Sequence, residues 1–125
     1  MVAGRSMVII GAGYIGLEAA AVAQQMGLKT TVLEMAPRVL ARVTSPIMSE
    51  FYEAEHRRQG VEIRTETSLS KLEGNDGAVT AAVLTDGTKL DADIVLVGIG
   101  ILPNEALAKD SGIACNNGIL VDRDA

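Results

Sequence analysis

Aromatic residues, cysteine and proline are all scarce in this chain of 125 residues. There is no tryptophan, one phenylalanine and two tyrosines, although 48% of the residues are hydrophobic. The core must therefore consist of Val, Ile, Leu, Ala and Met, which suits a parallel sheet that is buried on both faces. The length is close to that of one domain, so we expect a single domain over residues 1–125.

The chain also lacks a second cysteine, so Cys115 can form neither an internal disulfide nor a CxxC pair. We predict that Cys115 is a small buried or half-buried residue without chemistry. Apolar runs are interrupted by glycine or charge well before they reach membrane-spanning length. The expectation is a soluble, cytoplasmic protein with no membrane partner.

Basic residues are also fewer than acidic residues. Eleven Lys and Arg stand against 16 Asp and Glu, for a net charge of −5, and the basic residues are scattered along the chain. Because no basic stripe is available for a polyanion, nucleic acid is not an expected partner. The only histidine, His56, lies among charged neighbours on a predicted helix, which indicates a solvated residue and not a metal ligand or a catalytic base.

The first 34 residues follow a strand, helix, strand pattern. Met7–Ile10 is a short apolar run typical of a buried strand, and the segment from Tyr14 to Met26 is rich in good helix formers and ends at Gly27. Lys29–Glu34 returns to β-branched residues. The three elements make one crossover unit, expected to be right-handed.

The rest of the chain extends this pattern. Ser45 and Pro46 predict the start of a second helix that runs to Gln59. Turn signals on both sides of residues 78–84 predict an antiparallel hairpin or meander. The remaining predicted elements are strands at Val61–Arg64, Ile94–Val97 and Gly118–Val121, and one helical turn at Glu105–Lys109. The predicted fold class is α/β, a Rossmann-like βαβαβ parallel sheet with an inserted antiparallel hairpin or meander.

A GxGxxG loop, Gly11-Ala12-Gly13-Tyr14-Ile15-Gly16, joins the first strand to the first helix. Gly11 permits a tight turn, Gly13 has no side chain to hold a pyrophosphate away from the backbone, and Gly16 permits close packing of helix on strand. Unpaired N–H groups and the positive end of the helix can hold phosphate charge without Lys or Arg. The pattern predicts a dinucleotide site, although FAD could occupy such a groove as well as NAD.

The residue that complements this loop is Glu34, which lies at the end of the second predicted strand, about 20 residues beyond the glycines. A carboxylate at this place accepts hydrogen bonds from the adenosine ribose of NAD and repels the 2′-phosphate of NADP. We therefore predict NAD, present as NADH, as the cofactor. Arg38 and Arg42 follow downstream and could in principle meet a 2′-phosphate.

Four segments carry a family resemblance: VIIGAGYIGLEAA, TVLEMAPRVLARVTSP, FYEAEHRRQGVEIR and DADIVLVGIGILPN. Together they resemble the NAD-binding domain of FAD-dependent ferredoxin and rubredoxin reductases, of the putidaredoxin reductase type, a group related to glutathione and lipoamide reductases. The resemblance implies that this chain is the NAD(H)-binding fragment of a larger flavoprotein. It further implies partners: the FAD-binding and interface domains of the same protein, and an iron–sulfur protein that accepts electrons.

The resemblance also assigns residues to the nicotinamide half of the cofactor. It places Glu18 near the nicotinamide ring, with an ordinary helix-surface carboxylate as the alternative, and it places Arg42 beside bound NADH. Gly98-Ile99-Gly100 matches a loop that approaches the nicotinamide, where glycine suits close contact with backbone. The FAD-binding glycine motif and the Gly-Asp segment of such reductases have no counterpart, so FAD is expected elsewhere in the complete enzyme.

Three rival functions can be weighed from the sequence. A short-chain dehydrogenase needs a Tyr followed four residues later by Lys, whereas Tyr14 and Tyr52 are followed by Glu18 and His56. That rival is excluded. A stand-alone NAD-binding or sensing module stays open, as does an NAD domain from another branch of the disulfide-reductase superfamily.

Overall fold

The computed structural model describes residues 3–124, with three helices and seven strands in that part of the chain. The helices are α1 (Tyr14–Gln25), α2 (Pro46–Arg58) and α3 (Ala106–Asp110). The strands are β1 (Ser6–Ile10), β2 (Lys29–Leu33), β3 (Glu62–Arg64), β4 (Leu69–Asn75), β5 (Ala78–Leu84), β6 (Lys89–Asp91) and β7 (Ile94–Val97).

Four of the strands form a parallel sheet in the order β3-β2-β1-β7. β1 pairs with β2 along its whole length and with β7 from Met7 to Ile10, so that Ile10 lies opposite Leu33 on one side and Val97 on the other. The predicted strands at Met7–Ile10, Lys29–Glu34 and Val61–Arg64 are confirmed to within one residue at their ends, and so is the return of Ile94–Val97 to this sheet. This register brings the carboxyl ends of β1, β2 and β7 to one edge.

The other three strands form a separate antiparallel sheet in the order β4-β5-β6, which confirms the predicted meander. Its first turn has Asp76 and Gly77 with φ of 50° and 78°. Two consecutive positive φ values are what a two-residue hairpin turn requires, and Asp-Gly is well suited to them.

The meander forms a third layer of the fold. Met7, Ile9 and Val32 of the parallel sheet pack in one cluster with α1 residues. Val8 and Leu33 point to the opposite face, where they pack against Ala82, Leu84 and Ala92. Because side chains alternate between the faces of a strand, adjacent apolar residues of β1 and β2 supply both clusters. The α/β fold class is confirmed, with helices on one face of the parallel sheet and the meander on the other.

The predicted helix ends are close to those observed. α1 is followed by Gly27 in the left-handed region, with φ of 76°, as expected of a helix C-terminus. α2 begins at Pro46 after Ser45, although the Ser45 side chain makes no capping hydrogen bond. Helix α3 forms where a single helical turn was predicted.

Two predictions are wrong. Gly118–Val121 is not a strand, since only an isolated bridge joins Cys115 to Ile119, and the apolar side chains of this run are exposed without a sheet edge to pair with. His56 is half-buried, not solvated. Its Nδ1 lies 2.8 Å from the Tyr52 carbonyl oxygen and its Nε2 lies 3.1 Å from that of Leu17, so the imidazole links α2 to α1. A helix-packing contact of this kind depends on where α1 lies, which local sequence does not reveal.

Cys115 is partly buried, and its thiol lies 3.4 Å from the Ile113 carbonyl oxygen, in agreement with the predicted buried or half-buried residue.

Of the helices within residues 3–124, none has the length and apolar character needed to cross a bilayer. The cytoplasmic location stays a prediction.

Candidate cofactor-binding site

The glycine loop, Glu34 and Gly98 follow directly after three adjacent parallel strands, β1, β2 and β7. The Gly11 N–H donates to the Leu33 carbonyl and the Gly98 N–H donates to the Ile10 carbonyl, both at 2.8 Å. These bonds extend the sheet by one residue on each side of β1. The edge so formed is where open α/β sheets bind their ligands, outside the carboxyl ends of the strands.

Gly11 and Gly16 are places where only glycine fits. A Cβ on Gly11 would lie 2.4 Å from the Gly98 carbonyl oxygen, and the backbone there has φ of 103°. A Cβ on Gly16 would lie 2.0 Å from the Gly11 carbonyl oxygen. The first glycine therefore lets two loops meet, and the third lets α1 begin directly over the end of β1, as the spacing predicted.

Gly13 differs from both, because no protein atom lies within 4 Å of the place that a Cβ would occupy. It is the N-cap of α1 and has no side chain to offer the helix. The backbone N–H groups of Tyr14, Ile15 and Gly16 find no acceptor among residues 3–124, and the first turn carries no acidic residue. Open space above unpaired donors at the positive end of a helix fits a phosphate group.

The Glu34 carboxylate lies beside this helix end and has two backbone partners. Its Oε2 accepts the Ala12 N–H and its Oε1 accepts the Ala36 N–H, both at 2.8 Å. Each carboxylate oxygen can accept a further hydrogen bond. The group is thus held in place next to the glycine loop with acceptor capacity left for a hydroxyl-bearing ligand.

A connecting loop, which we define as residues 35–45, lies against the glycine loop from the other side. The Leu40 N–H donates to the Ala12 carbonyl at 2.9 Å. Ala12 is itself 0% exposed and packs in the core with its methyl group. Both polar groups of Ala12 are therefore satisfied, its N–H by Glu34 and its carbonyl by Leu40.

Arg38, which with Arg42 could in principle meet a 2′-phosphate, has hydrogen-bond partners within the protein. Its Nη1 donates to the Ser49 hydroxyl at 2.6 Å and to the Thr44 carbonyl at 3.0 Å, while Nη2 donates to the Ala41 carbonyl at 2.9 Å. Three of the five N–H donors of the guanidinium are therefore used within the protein. Arg42 is exposed and makes no hydrogen bond or ion pair with any residue that the structure describes.

The residues that the resemblance assigns to the nicotinamide half, Glu18 and Gly98-Ile99-Gly100, lie at the same edge of the sheet, but their surroundings constrain them less. Gly98 is partly buried next to Gly11, whereas Ile99 is 64% exposed. Gly100 has φ of 118°, a Cβ on it would meet no atom within 4 Å, and it too is exposed. Glu18 is exposed on α1, one turn beyond the unpaired donors. Tyr14 and Ile15 are likewise exposed at the start of this helix.

Three contributors to the site were missed by the sequence analysis. Ala12 was assigned no role from the sequence, and its hydrogen bonds to Glu34 and Leu40 were not foreseen. Leu40 has φ of 53°, a region that leucine rarely adopts, so no residue preference could have indicated its turn. Ser49 is buried at 1% exposure, and its role depends on the distance between two segments, which sequence spacing does not give.

Comparison with known proteins identifies relatives along nearly the whole chain. Residues 2–125 match the family described as pyridine nucleotide-disulphide oxidoreductase. Putidaredoxin reductase CamA of Pseudomonas putida is 46% identical over 124 residues, which is 98% of this chain and 29% of that protein. A rubredoxin-NAD(+) reductase of Pseudomonas putida is 38% identical over 98% of this chain and 32% of its own length.

A solved structure has the same arrangement. The covalent putidaredoxin reductase–putidaredoxin complex aligns with a TM-score of 0.88 at 47% identity, covering 94% of this chain and 28% of that one. The chain therefore spans about three tenths of the length of the proteins it resembles.

Proposed function

The chain belongs to the pyridine nucleotide-disulphide oxidoreductase family, and we propose that it is the NAD(H)-binding module of an FAD-dependent ferredoxin or rubredoxin reductase. The proposal covers residues 1–125 as a single NAD(H)-binding domain. The observation that carries it is the juxtaposition of unpaired helix N–H groups at Tyr14–Gly16 with the fixed carboxylate of Glu34.

The phosphates would lie over Gly13, where the backbone is open and the helix supplies donors. In an acidic chain, such donors supply positive potential without a basic side chain. Gly11 and Gly16 contribute by allowing the strand, the loop and the helix to come this close together.

The adenosine ribose would lie against Glu34. Its carboxylate can accept the ribose hydroxyls while it keeps the Ala12 and Ala36 N–H groups. A 2′-phosphate at the same place would meet this negative charge, and three of the five Arg38 N–H donors are already used by Ser49, Ala41 and Thr44. We therefore propose NAD(H) in preference to NADP(H), with Arg42 as the basic residue free to lie beside the cofactor.

The nicotinamide half would lie toward Gly98-Ile99-Gly100 and Glu18. The chemistry supplied when NADH is bound is hydride transfer to a flavin, which in this proposal is bound outside this chain. This chain's contribution is to bind and orient the dinucleotide. Isolated residues 1–125 are expected to bind NAD weakly and to catalyse nothing.

The proposed partners follow from the relatives. One solved relative is a complex of putidaredoxin reductase with putidaredoxin, and an iron–sulfur protein of that kind is the electron acceptor we propose for the complete enzyme. FAD-binding and interface domains of the same protein would contact this module. Exposed aliphatic side chains at residues 99–102 offer an apolar surface for such a contact.

Calorimetric titration of the purified chain with NAD+, NADP+ and FAD tests the proposal. NAD+ should bind, NADP+ should bind more weakly, and FAD should not compete for the site. Binding of FAD in preference to NAD+, or the absence of binding by any of the three, would contradict it.

A matched pair of variants tests the role of Glu34. Glu34→Ala should weaken NAD+ binding by about tenfold or more, because a charged acceptor of hydrogen bonds is lost, and should reduce the preference over NADP+. Glu50→Ala removes an exposed carboxylate from α2 and should change neither affinity. An unchanged NAD+/NADP+ ratio in Glu34→Ala would remove this residue from the ribose site.

A further inference from the structure

Arg38 joins the connecting loop to the first turns of α2. Its guanidinium reaches the carbonyls of Ala41 and Thr44 in the connecting loop and the hydroxyl of Ser49 on α2. The Ser49 hydroxyl in turn donates to the Val39 carbonyl at 2.6 Å. One buried hydroxyl and one planar guanidinium thus hold the connecting loop onto the first turns of α2.

The conformation held in this way is an unfavourable one. Leu40 has φ of 53°, which costs an L-residue with a bulky side chain about 1–2 kcal/mol, and such strain persists only where surrounding contacts over-determine the backbone. Here the Leu40 carbonyl accepts the N–H groups of Val43 and Thr44, and its side chain is buried. Arg38 binds the same turn from outside, through Ala41 and Thr44.

The strained turn at Leu40 is hydrogen-bonded to the glycine loop. The Leu40 N–H donates to the Ala12 carbonyl, and the Ala12 N–H donates to Glu34. A continuous series of contacts therefore runs from Arg38 through Leu40 and Ala12 to the carboxylate that faces the ligand space. No direct contact between Arg38 and the cofactor is needed for this effect.

We propose that Arg38 is a positioning residue for the adenosine half of the dinucleotide: with Ser49 it holds Leu40 in the turn that fixes Ala12 and Glu34. The inference rests on the proposed NAD(H) site. A lysine at this position supplies a point charge and cannot span three acceptors in one plane, whereas the guanidinium presents its donors as a rigid fork.

Hydrogen exchange and ADP-ribose titration together test this inference, the first without any ligand. In Arg38→Met, exchange of the Leu40 amide should accelerate by about tenfold or more as its bond to Ala12 is released. The affinity for ADP-ribose should fall by about tenfold, and Arg38→Lys should recover only part of it. Ser49→Ala should move both readouts in the same direction, and the double variant should add little to the larger single effect.

Two controls separate positioning from general loss of stability and from direct charge. Leu84→Val loosens the meander layer, which packs in a different cluster from Val39 and Leu40 of the connecting loop, and for a comparable loss of Tm it should leave ADP-ribose affinity unchanged. Arg58→Met removes an arginine from an exposed pair with Glu55 and should change neither readout.

The following outcomes would overturn the inference about Arg38. Unchanged Leu40 exchange in both Arg38→Met and Ser49→Ala, or an equal loss of affinity in Leu84→Val, would overturn the inference. An affinity loss in Arg38→Met that Ser49→Ala does not share would mean direct charge contact, and would overturn it too. If the unmodified chain binds neither NAD+ nor ADP-ribose, the proposed function fails, while the exchange experiment still reports whether Arg38 holds the turn.

Discussion

The two sides of the candidate site are built very differently. On the glycine-loop side, comprising residues 11–16, Glu34 and the connecting loop, backbone groups are hydrogen-bonded to one another and to side chains at 2.6–3.1 Å. On the 98–104 side, Gly98 bonds to Ile10, but residues 99–104 make no hydrogen bond within the described part of the chain. Leu102 is 90% exposed.

This difference indicates which half of the site is formed by contacts within this chain. Many short bonds around Ala12 pre-form a surface for phosphate and ribose, so little ordering is needed when a ligand arrives. Within residues 3–124, the segment 99–104 makes no hydrogen bond and only Pro103 in it is partly buried, which is typical of segments with low local stability. The nicotinamide half is therefore expected to depend on contacts from outside this chain.

The largest predicted effect comes from filling the gap between the two sides at Gly11. Gly11→Ala places a methyl group 2.4 Å from the Gly98 carbonyl oxygen at a positive φ. We expect a loss of about 2–5 kcal/mol in the free energy of unfolding, from backbone strain and overpacking together, and no measurable NAD+ binding.

Gly77→Ala is the matched control for this variant. It too has positive φ, at 78°, but meets no atom within 4 Å. Urea denaturation should show a cost of about 1–2 kcal/mol from the backbone alone, with NAD+ affinity retained. Equal losses in the two variants would show that contact with Gly98 does not matter.

Fragments of the cofactor provide the second test, because each occupies one side only. ADP-ribose should bind the isolated chain within about tenfold of NAD+, whereas nicotinamide mononucleotide should bind at least about a hundredfold more weakly. Calorimetry at constant salt measures all three ligands. Comparable binding of the two fragments would remove the distinction drawn between the sides.

A third, smaller effect is expected at Gly98, where a Cβ would have ordinary contacts of 3.7 Å or more. Gly98→Ala should change the free energy of unfolding by no more than about 1 kcal/mol. ADP-ribose affinity should stay within about twofold. Thermal unfolding with and without ADP-ribose measures both, and a loss like that of Gly11→Ala would mean that the two loops are equally constrained.

The smallest effect lies outside both sides, in the meander layer. Lys89 and Lys71 each pair with Glu73, at 2.7 Å and 2.9 Å, and lower the pKa of this carboxyl from 4.5 to about 2. A depressed carboxyl pKa stabilises the folded state above pH 4.5, and the contribution is lost as pH falls from there toward 2.

In Glu73→Gln that acid-dependent loss should be absent, and unfolding curves between pH 5 and 2 should be correspondingly flatter. Because these charges are exposed, the difference should be slight and should shrink with added salt. NAD+ affinity at neutral pH should be unaffected. An altered affinity would show that the meander layer takes part in the site.

Much of the fold and part of the site could be predicted because the signals are local. Glycine spacing predicted the turn at Gly11 and the close packing at Gly16, and the Asp76-Gly77 pair predicted a hairpin turn. The strand predicted at the apolar run Gly118–Val121 is wrong, because apolar character does not show whether a neighbouring sheet edge exists. The prediction of a solvated His56 failed for a similar reason, since its Leu17 partner lies on another helix.

By itself, then, the sequence determined the order of strands and helices, the sharp glycine turn and the acid that follows β2, because each depends on backbone freedom or on periodicity within a few residues. Only the packing of distant segments places the meander on one face of the parallel sheet, brings Arg38 to the Ser49 hydroxyl and holds Leu40 in a strained turn against Ala12. These features depend on distances between segments far apart in the chain, and packing against the rest of the fold offsets the local cost of forming them.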